Sequence, residues 1–163
     1  MTCLRVLLRI ALAASVAASA TIAAFAADAD FRTYAGRWVG NGTINLADGS
    51  SERIKCRATY FVVNNGRGLE QNIRCASASY KIEVRSAMQQ GVGGAISGTW
   101  QETQLNAMGN LSGRASAAGL RLSVAGDKFS GSMSVTVSGT SQTVSIVPRG
   151  TEISSVTIGL RKG

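Results

Sequence analysis

The stretch Arg53-Ile54-Lys55-Cys56-Arg57-Ala58-Thr59-Tyr60-Phe61-Val62, followed by Asn65-Gly66 and then Leu69-Glu70-Gln71-Asn72-Ile73-Arg74-Cys75, decides the fold. Ile54, Cys56, Ala58, Tyr60 and Val62 alternate with charged or polar residues, and Leu69, Ile73 and Cys75 do the same beyond the turn. Period-two alternation on both sides predicts two half-buried strands. Asn-Gly is the dipeptide favoured at the two positive-φ positions of a type I′ hairpin turn. A turn on Asn65-Gly66 sets Asn64 opposite Arg67 and therefore Cys56 opposite Cys75, both on the apolar side. Counting from a two-residue turn makes them a hydrogen-bonded pair with Cα atoms ~5.5 Å apart, within disulfide reach. A bulge at Gly66-Arg67-Gly68 would relax the bridge.

The pattern continues outward from this hairpin. Tyr80, Ile82 and Val84 alternate with Lys81, Glu83 and Arg85, and a tight turn near Ser77-Ala78 would set Cys75 opposite Tyr80. Gln89 to Gly94 breaks that strand. Ile96–Trp100, Leu111–Gly113, Leu120–Leu122, Phe129–Val137, Val144–Ile146 and Val156–Leu160 follow, and Trp38–Leu46 precedes. About ten strands joined by short turns would leave a flat meander with two exposed edges. Closure removes both edges, so an antiparallel up-and-down β-barrel of about 8–10 strands is predicted, with a two-sheet β-sandwich as the alternative. Asp28 to Ala35 has room for a single helical turn, and no later segment carries a helical stripe.

The residues predicted to point inward include Gly40, Gly42, Ala58, Gly98, Gly113, Ala115 and Gly131. Small residues in strands permit sharp coiling and leave interior volume. Tyr60, Tyr80, Trp100 and Met133 are the candidate interior ligand contacts, with Trp38 and Phe129 also available to fill the space.

At Gly36-Arg37-Trp38-Val39-Gly40-Asn41-Gly42 the chain resembles the first strand of calycin-type barrels. Lipocalins and avidins carry G-x-W there, matched by Gly36 and Trp38; nitrobindin-like barrels extend it to G-x-W-x-G-x-G, matched also by Gly40 and Gly42. Ile96-Ser97-Gly98-Thr99-Trp100 is similar in texture to avidin strands. The resemblance implies a small barrel with Trp38 closing one end, beneath an arginine near the last strand; Arg161 is the candidate. The later lipocalin motifs are missing, and a chain with no histidine cannot carry the haem-binding histidine of nitrobindins. A second resemblance, to exported bacterial metalloprotease inhibitors, rests on the same G-x-W and a disulfide-bonded barrel. It implies an N-terminal tail, here Ala27–Phe31, inserted into a protease. The Trp38-to-Cys56 spacing is longer than that comparison favours.

The first 26 residues read as an export signal. Arg5 and Arg9 form a positive n-region, Ile10 to Ala24 carries no charge, and Ala24-Phe25-Ala26 fits a cleavage site. Ala and Ser dominate the segment, whereas a retained spanning helix wants ~20 strongly apolar residues. Cys3 lies too far from the cleavage site to be a lipoprotein cysteine. Cleavage would leave residues 27–163 as one domain, periplasmic or secreted, with Cys56 and Cys75 as an even pair suited to a disulfide. Two of the 17 Lys and Arg leave with the signal, so 15 face 9 Asp and Glu, a net charge of +6.

Without histidine, the Ser-His-Asp triad and the commonest metal ligand are gone. The acids are scattered, with no pair spaced to straddle a substrate. Gly91-Val92-Gly93-Gly94 resembles a phosphate loop, but a strand follows it instead of the helix such loops need. Asn41-Gly42-Thr43 and Asn110-Leu111-Ser112 fit the glycosylation pattern. A polar outer face argues against an integral outer-membrane barrel. The reading is a non-enzyme with no cofactor and no bound metal.

On the polar side of the central strands, Arg53, Lys55, Arg57, Arg74, Lys81 and Arg85 share one face, interspersed with Glu70 and Glu83. Phe61 is the one aromatic there, so nucleic acid, which wants stacking platforms, is not expected. Two function classes remain. One is a barrel holding a small apolar or amphipathic ligand inside. The other is an envelope interaction protein whose basic face meets an anionic membrane surface or glycan.

Overall fold

The computed structural model describes residues 30–163. The expected signal segment 1–26, with Cys3, and residues 27–29 of the proposed tail lie outside the described residues. Ten antiparallel strands follow in chain order: β1 (Gly36–Leu46), β2 (Ser51–Val63), β3 (Gly68–Ala76), β4 (Lys81–Gln90), β5 (Ala95–Glu102), β6 (Ala107–Ser116), β7 (Gly119–Gly126), β8 (Ser130–Ser138), β9 (Ser141–Arg149) and β10 (Ile153–Lys162). Each pairs with its chain neighbours, and β10 pairs with β1 to close the barrel. Closure replaces the sandwich alternative, because no sheet edge is left to begin a second layer.

The central hairpin has the predicted register, with Cys56 opposite Cys75 and Arg57 opposite Arg74. Asn65 and Gly66 take the expected positive φ of 56° and 93°, but Asn64 does too, at 51°. The last ladder pair is therefore Val63 with Gly68. Counting from that pair shifts the alternation by one and makes the cysteines a close, non-hydrogen-bonded pair. Their Cα atoms lie 4.1 Å apart and their sulfurs are at bonding distance, so the ~5.5 Å expectation and the relaxing bulge are both corrected.

Two other expectations are corrected. Cys75 faces Ile82, not Tyr80, because the β3–β4 connection spans the four residues 77–80. There the Ser77 amide donates to the Tyr80 carbonyl (2.9 Å) and the Tyr80 amide to Ser77 Oγ (3.0 Å). β4 also runs through Gln90, with Gln89 opposite both Gly68 and Ser97, and the chain breaks only at Gly91.

Inward residues form one apolar core, including both tryptophans, Met88, Leu111, Val135 and Val144. Glycine lets strands coil tightly enough to enclose it. A methyl on Gly40 would run into the Gly159 carbonyl of β10, so the β10–β1 seam closes only with glycine there.

Candidate ligand site and outer face

The barrel has two ends. One carries the β2–β3, β4–β5, β6–β7 and β8–β9 connections, together with the N-terminal 3-10 turn Phe31–Thr33. Asp30 caps that turn by accepting from the Arg32 amide (2.9 Å), which holds its carboxyl below the usual range. Arg32 also donates to the Asn65 carbonyl (3.2 Å), tying the turn to the β2–β3 connection. Phe31 and Tyr34 are buried and meet edge to face, and Tyr34 lies against Tyr60. Burial pushes the Tyr34 hydroxyl up to about 12. Phe31, the last residue of the proposed protease-inserting tail, is thus committed to the barrel.

Trp38 lies beneath this plug with no exposed surface, and its indole N–H donates to the Tyr34 carbonyl (2.8 Å). Lys162, not Arg161, stands over the ring, its Nζ 5.4 Å from the centroid. The reason is phase. Val156, Ile158 and Leu160 point inward, so 162 follows them, while Arg161 points out and donates to Ser141 Oγ (3.4 Å). Gly36 sits at the start of β1 with φ 110°, opposite Tyr60.

Tyr60 belongs to this closed end. Its hydroxyl donates to Gln142 Oε1 (3.1 Å), and burial raises its pKa well above the ordinary value. Gln142 is 2% exposed and its Nε2 has no partner. Gln71 and Gln90 are buried at the same end. Nothing in the hydrophobic pattern pointed to these glutamines; only their inward phase did.

The opposite end carries the β1–β2, β3–β4, β5–β6, β7–β8 and β9–β10 connections. Here six inward apolar residues are half-buried, Leu46, Ile82, Val84, Met133, Ile146 and Ile153, while Ile44, Ile54 and Ala107 are buried. At its rim the Tyr80 hydroxyl donates to Glu152 (2.9 Å), which raises the Tyr80 pKa, and Glu52 accepts from the Ser79 amide (2.9 Å). Trp100 is buried, its ring centroid 4.8 Å from that of half-buried Phe129, with its N–H directed at the Ala125 carbonyl (3.4 Å). Glu102 is buried and accepts from the amides of Glu83 and Leu105, so its carboxylate serves the β5–β6 turn. Of the four candidate ligand contacts, Tyr80 and Met133 therefore lie at the half-buried end, Trp100 packs with Phe129, and Tyr60 lies at the closed end.

All six predicted basic residues, Arg53, Lys55, Arg57, Arg74, Lys81 and Arg85, are exposed on the outside. Arg74 and Arg85 share Glu83 at 3.1 and 3.2 Å, and the two contacts hold its carboxyl below the usual range. Arg37, and Arg161 in place of its expected position over Trp38, extend this face across β1 and β10; their odd-numbered phase beside inward Trp38 and Leu160 is the sequence signal for it. Next to the face runs an open groove of about 740 Å³, bordered by Phe61, Glu70, Arg85, Thr99 and Met108.

No family model matches the sequence, and no curated protein matches it. Among solved structures, Rv2717c from M. tuberculosis superposes with a TM-score of 0.67 at 13% identity, over 80% of this chain and 93% of that one. The S-type phycobiliprotein lyase CPES from Guillardia theta superposes with a TM-score of 0.59 at 7% identity, over 82% and 90%. At these identities the likeness is one of fold: a small closed β-barrel.

Proposed function

We propose that this chain is an exported, non-enzymatic binding barrel that holds a small apolar or amphipathic molecule at the half-buried end of its interior. One observation carries the reading. Six inward apolar residues of that end, Leu46, Ile82, Val84, Met133, Ile146 and Ile153, are only partly covered around buried Ile44 and Ile54, whereas at the other end the partly covered ones are Val62 and Val137. Apolar surface left half-wet inside a concave wall is the usual material of a small-molecule site. Tyr80 and Glu152 at the rim would give the polar end of an amphipathic ligand a hydrogen-bonding partner. The cysteine pair at bonding distance supports an oxidising compartment. The absence of histidine and the engagement of buried Glu102 with two backbone amides support a binding role over catalysis.

The test is native mass spectrometry of the protein purified from its own host. A retained small molecule, released on denaturation and lost in Met133→Trp, is expected, because the larger ring would occupy the half-covered space. A bare protein mass, or equal retention in a Met133→Trp variant with an unchanged circular dichroism spectrum, overturns the assignment.

A further inference from the structure

The outer wall is divided by charge. On β10, β1, β2, β3 and β4 the outward side chains include Arg161, Arg37 and the six basic residues already described, against two carboxylates, Glu70 and Glu83. On β6 to β9 the outward positions are mostly Ser and Thr, with Arg114 directly opposite Arg121 and with Arg149 apart from them on β9. Like-charge pairing occurs on both halves, and what sets the first apart is density, eight outward cations against three. Arg57 stands directly opposite Arg74, and Val39 lies between Arg57 and Arg161 in the same cross-strand row. Like charges opposed in a sheet are mildly destabilising. Glu83 compensates Arg74 and Arg85 only, and no ion pair holds Lys55, Arg57 or Arg161 among the described residues.

We propose that this five-strand face docks onto an anionic phospholipid surface. Three features select that occupant. Six of the eight cations are arginines, whose planar guanidinium matches phosphate oxygens in bidentate fashion. The charges are spread over five adjacent strands of the outer wall, as suits an extended array of headgroups better than a single bound anion. Val39 and Phe61, 48% and 59% exposed on this side, offer apolar side chains to the headgroup boundary, while a sugar-binding face would want more than the one aromatic platform of Phe61. The inference is independent of the internal ligand.

The experiment is co-sedimentation of the whole protein, as its host processes it, with phosphatidylcholine vesicles and with equimolar phosphatidylcholine–phosphatidylglycerol vesicles, at low and physiological salt. Binding to the anionic vesicles alone, weakened by salt, is expected. Lys55→Gln, Arg57→Gln and Arg161→Gln together should weaken it by on the order of 100-fold, since each basic side chain near such a surface is worth about 1 kcal/mol. Arg114→Gln, Arg121→Gln and Arg149→Gln together remove the same net charge from the serine-rich side and should change it less than about threefold. Equal loss in both variants would overturn the proposal, leaving only attraction by net charge. So would absence of anionic-vesicle binding, including the case where dextran sulfate is bound and vesicles are ignored, which would assign the face to a glycan.

Discussion

The two ends of this barrel use the same strands and differ in how far their inward side chains are covered. At the plugged end, Phe31, Tyr34, Trp38, Tyr60, Met88 and Leu160 are all buried, and even the polar Gln142 is dry. At the other end, Ile44 and Ile54 are buried but six residues of the same alternation, Leu46, Ile82, Val84, Met133, Ile146 and Ile153, remain partly exposed, against Val62 and Val137 at the plugged end. What distinguishes them is one turn of chain. The segment from Asp30 to Tyr34 folds over the first end and brings two aromatic rings, and no described segment does the same at the second. In the proposed function, stability and binding capacity are separated along one axis: close packing contributes the former, and incomplete cover leaves room for the latter.

The largest test of that division is Trp38→Ala. The ring is fully buried and its N–H ties β1 to the plug, so truncation should cost about 3–5 kcal/mol in urea denaturation. A variant as stable as its parent would mean that the plugged end is not the stabilising one. A sharper comparison uses one residue type at both ends. Met88, 1% exposed, faces Leu69 and Gly98 near the plug, while Met133 is half-buried opposite Leu122 and Ile146. Met88→Ala should cost about 2–5 kcal/mol, and Met133→Ala about 1 kcal/mol because less surface leaves water there on folding. Equal costs would erase the asymmetry on which the proposed function rests.

Much of this was legible in the sequence, and the misreadings have physical causes. The hairpin register, the facing cysteines and the burial of Trp38 followed from period-two alternation and from Asn-Gly turn chemistry, both local. The Cys75–Tyr80 pairing failed because Ser77 builds a wider connection through its hydroxyl, a side-chain-to-backbone bond that alternation does not encode. Arg161 was assigned above Trp38 by resemblance, although phase alone points to Lys162. The inequality of the two ends was not legible. It depends on Phe31 and Tyr34 reaching residues far along the chain, and two aromatics in a five-residue segment give no local sign of what they will cover. The interior ligand contacts inherited this limit, so Tyr60 and Tyr80 were grouped although they lie at opposite ends.

The smallest expected effect is that of a double change at the polar pair inside the plugged end. Tyr60→Phe alone would leave the Gln142 amide without a partner at either end, and Gln142→Leu alone would leave the buried Tyr60 hydroxyl unpaired. Each single change should cost about 1–3 kcal/mol, the penalty of an unsatisfied buried group. The two changes together remove both partners and the already unpaired Nε2, and the double variant should lie within about 1 kcal/mol of the parent. Rotating the amide by half a turn does not alter this argument, since one of its two polar atoms still lacks a partner. A double variant costing as much as the two single changes combined would show that the amide is held by something other than Tyr60. The closed end would then contain a polar site in its own right, and the division between a stabilising end and a binding end would fail at that point.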